Sequence, residues 1–238
     1  MASKSKMSRG EMLLSIIIPV YNEELTIGNI IDRTEKVMQQ TGLNFEVIVV
    51  DDHSYDNSFE VAKARNAKVF SLKQHLGKGY ALRAGFAHAM GDIILTIDSD
   101  GSHKPEELPE VLVPILEGKA DLVIGSRYMN HKKVEARKLN AFGVKLFNRF
   151  IELLTGVAIT DSQSGYRAMK REVLKSQELK SGEYEIESEI LVRTAKQNFR
   201  VTEVPISFEQ RTYGTSGVDP MFDGFKILVS IILAYVKA

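Results

Sequence analysis

The 238-residue sequence contains no cysteine and no tryptophan, and its 31 basic residues balance its 31 acidic residues. Without cysteine the chain can form neither a disulfide framework nor a thiolate metal site, which fits a reducing interior. Zero net charge gives no indication of nucleic-acid binding, so we expect no nucleic-acid partner. No apolar run approaches the ~20 residues of a membrane-spanning helix, because the longest candidate, 227–236, has about half that length.

The first residues of the chain are polar and mixed in charge, without the apolar core of a signal peptide. We expect a flexible tail at 1–12, followed by one main domain, because 44% hydrophobic residues suffice for a full core. The predicted domain spans 13–217, and residues 218–238 form a separate apolar segment at the C-terminus.

Short apolar runs alternate with segments of helical periodicity from residue 13 to residue 125. This alternation predicts an α/β fold with a mostly parallel sheet and helices on both faces. Strands are expected at 13–20, 45–50, 68–72, 93–97 and 121–125, and later at 201–208. Helices are expected at 26–40, 58–66, 79–90, 105–117, 139–154, 185–197 and 222–236.

Two carboxylates, Asp98 and Asp100, follow the buried strand at 93–97. A buried parallel strand delivers its C-terminal end to the crevice where open α/β sheets bind ligands. Two carboxylates are costly to hold together unless a cation neutralises them, and oxygen ligands suit Mg²⁺ or Mn²⁺ on a diphosphate. The alternative is an ordinary surface turn, since Asp-x-Asp-Gly is also good turn chemistry.

Asp52 ends the second strand, and Tyr21 and Glu23 follow the first, all at the same predicted edge as Asp98. An aromatic ring and carboxylates there suit a base and a ribose, although capping of the following helices explains these loops equally well. No G-x-G-x-x-G is present, which argues against a dinucleotide site. The stretch 77–79 lacks the spacing of a phosphate loop, so we expect Lys78 to be a solvated loop lysine.

Five motifs together resemble the inverting nucleotide-sugar glycosyltransferases of the GT-A fold. More narrowly, they resemble the polyprenyl-phosphate sugar synthases typified by dolichyl-phosphate mannose synthase. The resemblance covers about residues 13–216, nearly the whole chain. The motifs are 17–23 (IIPVYNE), 49–54 (VVDDHS), 98–100 (DSD), 125–128 (GSRY) and 161–167 (DSQSGYR).

The resemblance implies a role for each matching position. The implied donor-nucleotide residues are Pro19, Tyr21, Glu23, Val50, Asp52, Asp98 and Ser99. The implied metal ligands for Mg²⁺ or Mn²⁺ are Asp98 and Asp100, with Ser102 as a candidate third. The implied acceptor-phosphate residues are Arg127, Arg137 and Arg211, and the implied catalytic residues are Asp100, Arg127 and Arg211. Arginine suits these places because its planar fork matches phosphate oxygens.

Three positions depart from the family pattern. Ser102, with His103 beside it, stands where the family usually has a metal-binding glutamine. The identity of the third metal ligand is therefore undecided. Gly217 stands where the family often has a phosphate-binding lysine. The loop before Arg137 is shorter than in the family, which makes this arginine the weakest of the three matches.

The implied activity is transfer of a hexose from GDP-mannose or a UDP-hexose to dolichyl or polyprenyl phosphate, with inversion. A phosphate acceptor needs no general base, because it is already anionic near neutral pH. One alternative is a single addition to a glycan or another hydroxyl; a processive enzyme is excluded because its Gln-x-x-Arg-Trp motif needs a tryptophan. Another is a non-catalytic module that binds nucleotide sugars or membranes.

Because the implied acceptor carries a hydrophobic chain, two amphipathic segments are of interest, the helix at about 139–155 and the segment 218–238. Both are expected at a membrane interface, although the first also reads as an ordinary surface helix packed on the core. We therefore expect peripheral contact with the cytoplasmic face of a membrane, with a membrane-anchoring partner subunit as a further candidate partner.

Overall fold

A mixed sheet of seven strands organises the part of the chain that the computed structural model describes. That part comprises residues 12–129, 138–209, 211 and 222–237, with backbone alone at 138–142 and 222. The strand order across the sheet is β3-β2-β1-β4-β6-β5-β7. The strands are β1 (Leu13–Val20), β2 (Asn44–Asp51), β3 (Lys68–Ser71), β4 (Ile93–Thr96), β5 (Leu122–Ser126), β6 (Arg167–Lys170) and β7 (Val201–Pro205).

Helices cover both faces of this sheet, because its strands are apolar on both sides. Alternate residues of β1 enter two separate cores: Ile16 and Ile18 contribute to one, and Ile17 to the other. The first core includes side chains of α1, α2 and α4, and the second those of α3, α5, α7 and α8. The helices are α1 (Ile27–Thr41), α2 (Ser58–Lys63), α3 (Lys78–His88), α4 (Leu108–Leu116), α5 (Lys138–Thr155), α6 (Arg171–Lys175), α7 (Ile186–Lys196) and α8 (Phe222–Lys237), with a 3₁₀ turn at Pro105–Glu107.

The predicted α/β class, with a mostly parallel sheet of the GT-A type, is confirmed. One strand was not predicted: β6 runs antiparallel to both β4 and β5. Its four residues, Arg-Ala-Met-Lys, are too few and too polar to show a strand pattern, so the sequence did not reveal it. The strand predicted at 201–208 ends earlier, at Pro205.

The sheet order brings three loops to one edge. β1 pairs in parallel with β2 on one side and with β4 on the other. Val20 at the end of β1 lies opposite Asp51, and Ile17 lies opposite Thr96. The loops that follow these strands therefore leave from the carboxyl edge of the sheet, where open α/β folds bind ligands.

The helices α5 and α8 pack on each other and on α7, and they leave large apolar side chains in solvent. The exposed side chains are Leu146 and Leu153 of α5, with Phe225, Val229, Ile232, Leu233 and Val236 of α8. In the described residues no helix is both long and apolar enough to cross a membrane. The proposed boundaries at 12 and 217 stay predictions, and the tail at 1–11 and the basic loop containing Arg137 lie outside the described residues.

Candidate active site

The loops after β1 and β2 are joined by hydrogen bonds across the edge of the sheet. Asn22 has a left-handed backbone (φ 54°), accepts from the backbone N–H of Tyr55 at 2.9 Å and donates its own N–H to Ser54 Oγ at 2.9 Å. The N–H of Glu23 donates to Ser58 Oγ at 2.7 Å. Asn22 therefore ties two loops together, and α1 begins later, at Ile27.

An aromatic cluster stands at the outer end of these loops. The ring of Tyr21 stacks on His75 with 3.9 Å between centroids and meets Tyr55 edge-on. The hydroxyls of Tyr21 and Tyr55 are 2.5 Å apart, and that hydrogen bond is the largest cause that raises the pKa of Tyr21 to about 12. The cluster offers planar rings for a nucleobase, in line with the role predicted for Tyr21.

Asp52 is buried, and its carboxylate is already engaged by the chain. It accepts the backbone N–H groups of Leu76 at 2.8 Å and Gly77 at 2.7 Å, and the Nδ1 atom of His75 lies 2.8 Å away. Asp52 thus fixes the loop that leads into α3, next to the aromatic cluster. Pro19 and Val50 lie opposite each other in the β1–β2 pair, and the side chain of Val50 is fully buried in the core.

Lys78, at the start of α3, bridges two carboxylates. Its Nζ atom lies 2.6 Å from Asp98 Oδ1 and 2.8 Å from Glu187 Oε1 of α7, and its side chain is only 18% exposed. The expectation of a solvated loop lysine is wrong. Sequence reasoning missed this pairing, and missed Glu187 altogether, because the partners are distant in the chain and converge only through packing of α3 and α7.

Lys78 keeps Asp98 ionised. Burial by itself would raise the pKa of Asp98, but the ammonium group outweighs burial and lowers the pKa to about 2. The same two carboxylates raise the pKa of Lys78 above its ordinary value, although burial acts in the opposite direction. The pair is therefore fully ionised across the physiological pH range.

Gly165 is required for this pair to approach the backbone. A Cβ atom at this position would lie 2.7 Å from both Asp98 Oδ1 and Lys78 Nζ, well inside van der Waals contact. The carbonyl of Gly165 also accepts the hydroxyl of Thr96 at 2.7 Å, which holds the loop against the end of β4. The glycine of the 161–167 motif thus serves the carboxylate site directly.

Asp100 is oriented by Ser102. Its Oδ1 atom accepts both the hydroxyl of Ser102 at 2.6 Å and the backbone N–H of Ser102 at 3.0 Å. Ser102 is buried and directs its hydroxyl at Asp100, while Ser99, between the two carboxylates, is buried as well. Gly101 allows this tight turn, because its φ of +80° is unfavourable for other residues.

His103 lies behind the two carboxylates with its imidazole 1% exposed. Its ring packs between Tyr166, at 5.2 Å between centroids, and Phe208, at 5.7 Å. In the described part of the chain neither ring nitrogen has a hydrogen-bond partner, and the nearest acidic oxygen, Asp98 Oδ2, is 3.6 Å from Nδ1. Burial lowers the pKa of His103, although Asp98 opposes this, so the ring is neutral near pH 7.

Arg127 is held by the fully buried Asp161. The Nε and Nη2 atoms of Arg127 donate to the two carboxylate oxygens at 2.6 and 2.7 Å, and Asp161 raises the pKa of the guanidinium although burial would lower it. Glu203 of β7 fixes this partner, because it accepts the backbone N–H groups of Thr160 and Asp161 at 2.7 and 2.9 Å. One edge of the Arg127 guanidinium is therefore occupied by Asp161, which positions this predicted phosphate ligand.

Arg167 ties the same loop to α7. Its buried guanidinium donates to the backbone carbonyls of Ser162, Ser164 and Glu187 at 2.7 to 2.8 Å. Burial lowers its pKa to about 10. The interactions of Arg167 fix the start of α7, and with it Glu187, relative to Asp161.

Arg211 forms an ion pair with the buried carboxylate of Glu23. Burial raises the pKa of Glu23, and Arg211 offsets part of this effect. A predicted phosphate-binding arginine therefore meets a predicted donor-binding carboxylate at the loop that follows β1. Arg137 lies outside the described residues.

A divalent cation fits the chemistry of the residues that follow β4. Asp98 and Asp100 supply hard carboxylate oxygens, and the unpartnered imidazole of His103 stands beside them. In the described residues no three acidic or histidine side chains already surround a single point, since Asp98 is paired with Lys78 and Asp100 with Ser102.

The chain is similar to several known proteins. The family described as Glycosyl transferase family 2 matches residues 15–177. A Methanococcus voltae UDP-N-acetylglucosamine–dolichyl-phosphate N-acetylglucosaminyltransferase is 33% identical over 94% of this chain and 96% of its own length. A Pyrococcus furiosus dolichol-phosphate mannosyltransferase is 36% identical over 86% of this chain, which spans 59% of that longer protein.

Among solved structures, a Mycobacterium tuberculosis glucosyl-3-phosphoglycerate synthase in complex with Mn²⁺, uridine diphosphate and phosphoglyceric acid has a similar fold. The TM-score is 0.77 at 24% identity, and the match covers 94% of this chain and 79% of that one. At this identity the likeness concerns the fold.

Proposed function

The chain belongs to glycosyl transferase family 2, and from this premise we propose that it transfers a hexose from a nucleotide-diphosphate sugar to dolichyl or polyprenyl phosphate. The observation that carries the proposal is the charged cluster at the carboxyl edge of the sheet, where Lys78 pairs with Asp98 and Asp100 follows two residues later. Dolichyl or dolichol phosphate in the names of two relatives supports the choice of acceptor. GDP-mannose and UDP-hexoses remain the candidate donors.

The donor site follows from the loops after β1 and β2. The rings of Tyr21 and His75 provide a stacking surface for the base, and Asp52 keeps the loop of His75 in place. The diphosphate would then lie toward Asp98 and Asp100. Lys78 supplies positive charge beside Asp98, and its second partner, Glu187, is a buried carboxylate of α7.

The proposed reaction inverts the anomeric carbon in one step. An oxygen of the acceptor phosphate forms a bond to C1 of the sugar while the bond from C1 to the β-phosphate oxygen breaks, and its electron pair leaves with the nucleoside diphosphate. No proton is removed, because a phosphate monoester is largely a dianion above its second pKa near 6. Arg127 and Arg211 would hold the acceptor phosphate and offset its repulsion from the donor.

A bound Mg²⁺ or Mn²⁺, held by Asp98 and Asp100, would supply electrostatic stabilisation of the departing diphosphate. The chain's contribution is to keep these carboxylates ionised and oriented. Lys78 lowers the pKa of Asp98, and Ser102 orients Asp100 by two hydrogen bonds.

The membrane part of the proposal rests on α5 and α8. Large exposed apolar side chains such as Leu153, Phe225 and Val236 would enter the interface of the bilayer that carries the acceptor lipid. We place the chain peripherally at the cytoplasmic face, where nucleotide sugars are available, with a membrane-anchoring subunit as a candidate partner.

The experiment that tests the function is transfer from a panel of GDP- and UDP-sugars in the presence of Mn²⁺. The acceptors are a short polyprenyl phosphate, the matching polyprenol, a simple glycan and phosphoglycerate. Transfer to the lipid phosphate alone is the expected result. Transfer only to polyprenol or glycan would overturn the phosphate acceptor in favour of a hydroxyl acceptor, and nucleotide-sugar binding without turnover would favour a non-catalytic module.

A further inference from the structure

The imidazole of His103 is buried beside the carboxylate pair without a hydrogen bond that would offset its burial. Both nitrogens lack a partner among the described residues, and the ring is 1% exposed. Leaving a buried polar group unpaired destabilises a fold, whereas a phenylalanine would fill the same aromatic niche without that cost. Folding stability therefore does not explain a histidine at this position.

The distance between His103 and Asp98 lies between the two spacings expected for ligands of one octahedral ion, so a small side-chain shift would bring both onto the same cation. The 3.6 Å between Nδ1 and Asp98 Oδ2 is too long for a hydrogen bond. Two ligands with bonds of about 2.1 Å to an octahedral cation stand roughly 3 Å apart when adjacent and roughly 4 Å apart when opposite. Oδ2 is also the oxygen of Asp98 that Lys78 leaves available, since Lys78 lies at 2.6 Å from Oδ1.

Ser102 is a poorer candidate for this position. Its hydroxyl and its backbone N–H both donate to Asp100 Oδ1, so its observed role is to orient Asp100. His103, in contrast, is held in place by the rings of Tyr166 and Phe208, which do not use its nitrogens. A rigid ring with an unused lone pair is what a ligand position requires.

We propose that His103, rather than Ser102, joins Asp98 and Asp100 as a protein ligand of the divalent cation, and that the site therefore prefers Mn²⁺ to Mg²⁺. The preference follows because Mg²⁺ binds oxygen ligands almost exclusively, whereas transition-metal ions accept an imidazole nitrogen. This inference rests on the proposed metal-assisted function.

The test is electron spin-echo spectroscopy of Mn²⁺ bound to the whole chain in the presence of UDP or GDP. In the wild type we expect modulation from a directly bound ¹⁴N nucleus, which changes when histidine is labelled with ¹⁵N. His103→Phe keeps the aromatic packing and should lose this signal. It should also bind Mn²⁺ at least about 10-fold more weakly, since even outer-sphere partners of metal ligands contribute 10- to 100-fold.

Three controls separate ligation from folding. Ser102→Ala should keep the nitrogen signal, and so should His88→Phe, which replaces an exposed histidine whose ring is tilted against Phe70. The thermal unfolding midpoint of His103→Phe should equal or exceed that of the wild type. If that variant misfolds, His103→Gln gives a second comparison, with an oxygen ligand in place of nitrogen.

The outcomes distinguish this inference from the function on which it rests. Mn²⁺ that binds the wild type with nucleotide but without nitrogen coupling would overturn the role of His103 and leave metal-assisted transfer standing. Equal affinity for Mg²⁺ and Mn²⁺ would overturn the preference. Failure of Mn²⁺ to bind with either nucleotide would overturn metal assistance itself.

Discussion

Lys78 neutralises two carboxylates that belong to different elements, the partly exposed Asp98 and the buried Glu187. Asp98 follows β4 and Glu187 lies on α7, and both would carry uncompensated charge without the ammonium group. A divalent cation at Asp98 would supply the same positive charge. We therefore expect Lys78 and a metal to compete electrostatically for Asp98, although Lys78 contacts Oδ1 and leaves Oδ2 available.

Replacing Lys78 by methionine tests this competition. We expect Lys78→Met to lower the free energy of unfolding by about 3 kcal/mol without metal, because breaking a buried ion pair leaves the carboxylates unpaired. Saturating Mn²⁺ should then raise its thermal midpoint more than that of the wild type. The control is Lys119→Met, which removes an exposed lysine paired with Glu117. Equal stabilisation of Lys78→Met and wild type by Mn²⁺ would refute the competition.

At the scale of elements, the packing of α3 on the segment before α7 determines whether Lys78 reaches Glu187. A Cβ atom on Gly79 would lie 2.5 Å from the carbonyl carbon of Gly182 and 2.7 Å from Ser181 O. The backbone N–H of Tyr80 also donates to Gly182 O at 3.1 Å. The first turn of α3 therefore lies in direct backbone contact with that segment.

Gly79→Ala should separate the two elements. We expect a loss of about 1–3 kcal/mol in stability from overpacking, together with a fall in donor turnover because Lys78 moves away from Glu187. The matched control is Gly143→Ala in α5, where the nearest atom is 4.0 Å away and alanine should add up to about 1 kcal/mol of helix stability. Unchanged turnover in Gly79→Ala would show that this contact does not position the site.

The exposed face of α8 can be tested with a matched pair of double variants. Ile232→Ser with Val236→Ser removes side chains that are 44% and 69% exposed, and Val113→Ser with Met90→Ser removes side chains of 44% and 67% exposure elsewhere. Exposed substitutions change stability by only about 0.5 kcal/mol each, so both proteins should fold.

Cosedimentation with lipid vesicles should distinguish the two double variants. Each apolar side chain half-buried in a bilayer contributes on the order of 1 kcal/mol, so the α8 variant should lose roughly tenfold or more in vesicle binding. The control should bind as the wild type does, and nucleotide binding should be the same in all three. Equal vesicle binding by both variants would remove α8 from the membrane contact.

The sequence predicted long, strongly patterned elements well and contacts between distant residues poorly. The strand at 13–20 was predicted at its observed bounds because its apolar run is continuous, whereas the four residues of β6 carry no pattern. The family motifs drew attention to Asp98, Asp100 and Arg127, whose roles stay predictions. Lys78 was predicted to be solvated, and Glu187 and Glu203 were missed, because a polar residue inside a helix or strand gives no sign of which distant side chain it meets.

At the scale of the whole molecule, the candidate site brings together parts of the chain that are distant in sequence. The donor would contact loops after β1, β2 and β4, and Lys78 and Glu187 add α3 and α7. A ligand that binds only this assembled arrangement stabilises the entire fold, since it has no affinity for the unfolded chain. Global unfolding is therefore a readout of the site that requires no acceptor and no turnover.

We expect a nucleoside diphosphate with Mn²⁺ to raise the thermal midpoint of the chain, and the correct nucleotide to be the one with the larger effect. At a ligand concentration 100 times the dissociation constant the gain is about 2.7 kcal/mol, which for a domain of this size corresponds to roughly 5–11 °C. Differential scanning calorimetry with UDP, GDP and AMP, each with Mn²⁺ or with EDTA, measures it. EDTA should abolish most of the shift, because the carboxylates of Asp98 and Asp100 would then repel the diphosphate. The Asp100→Asn variant with Mn²⁺ should show the same small shift as the wild type with EDTA. A shift that is equal in Mn²⁺ and EDTA would remove the metal from the donor site, and no shift with either UDP or GDP would contradict the donor site itself.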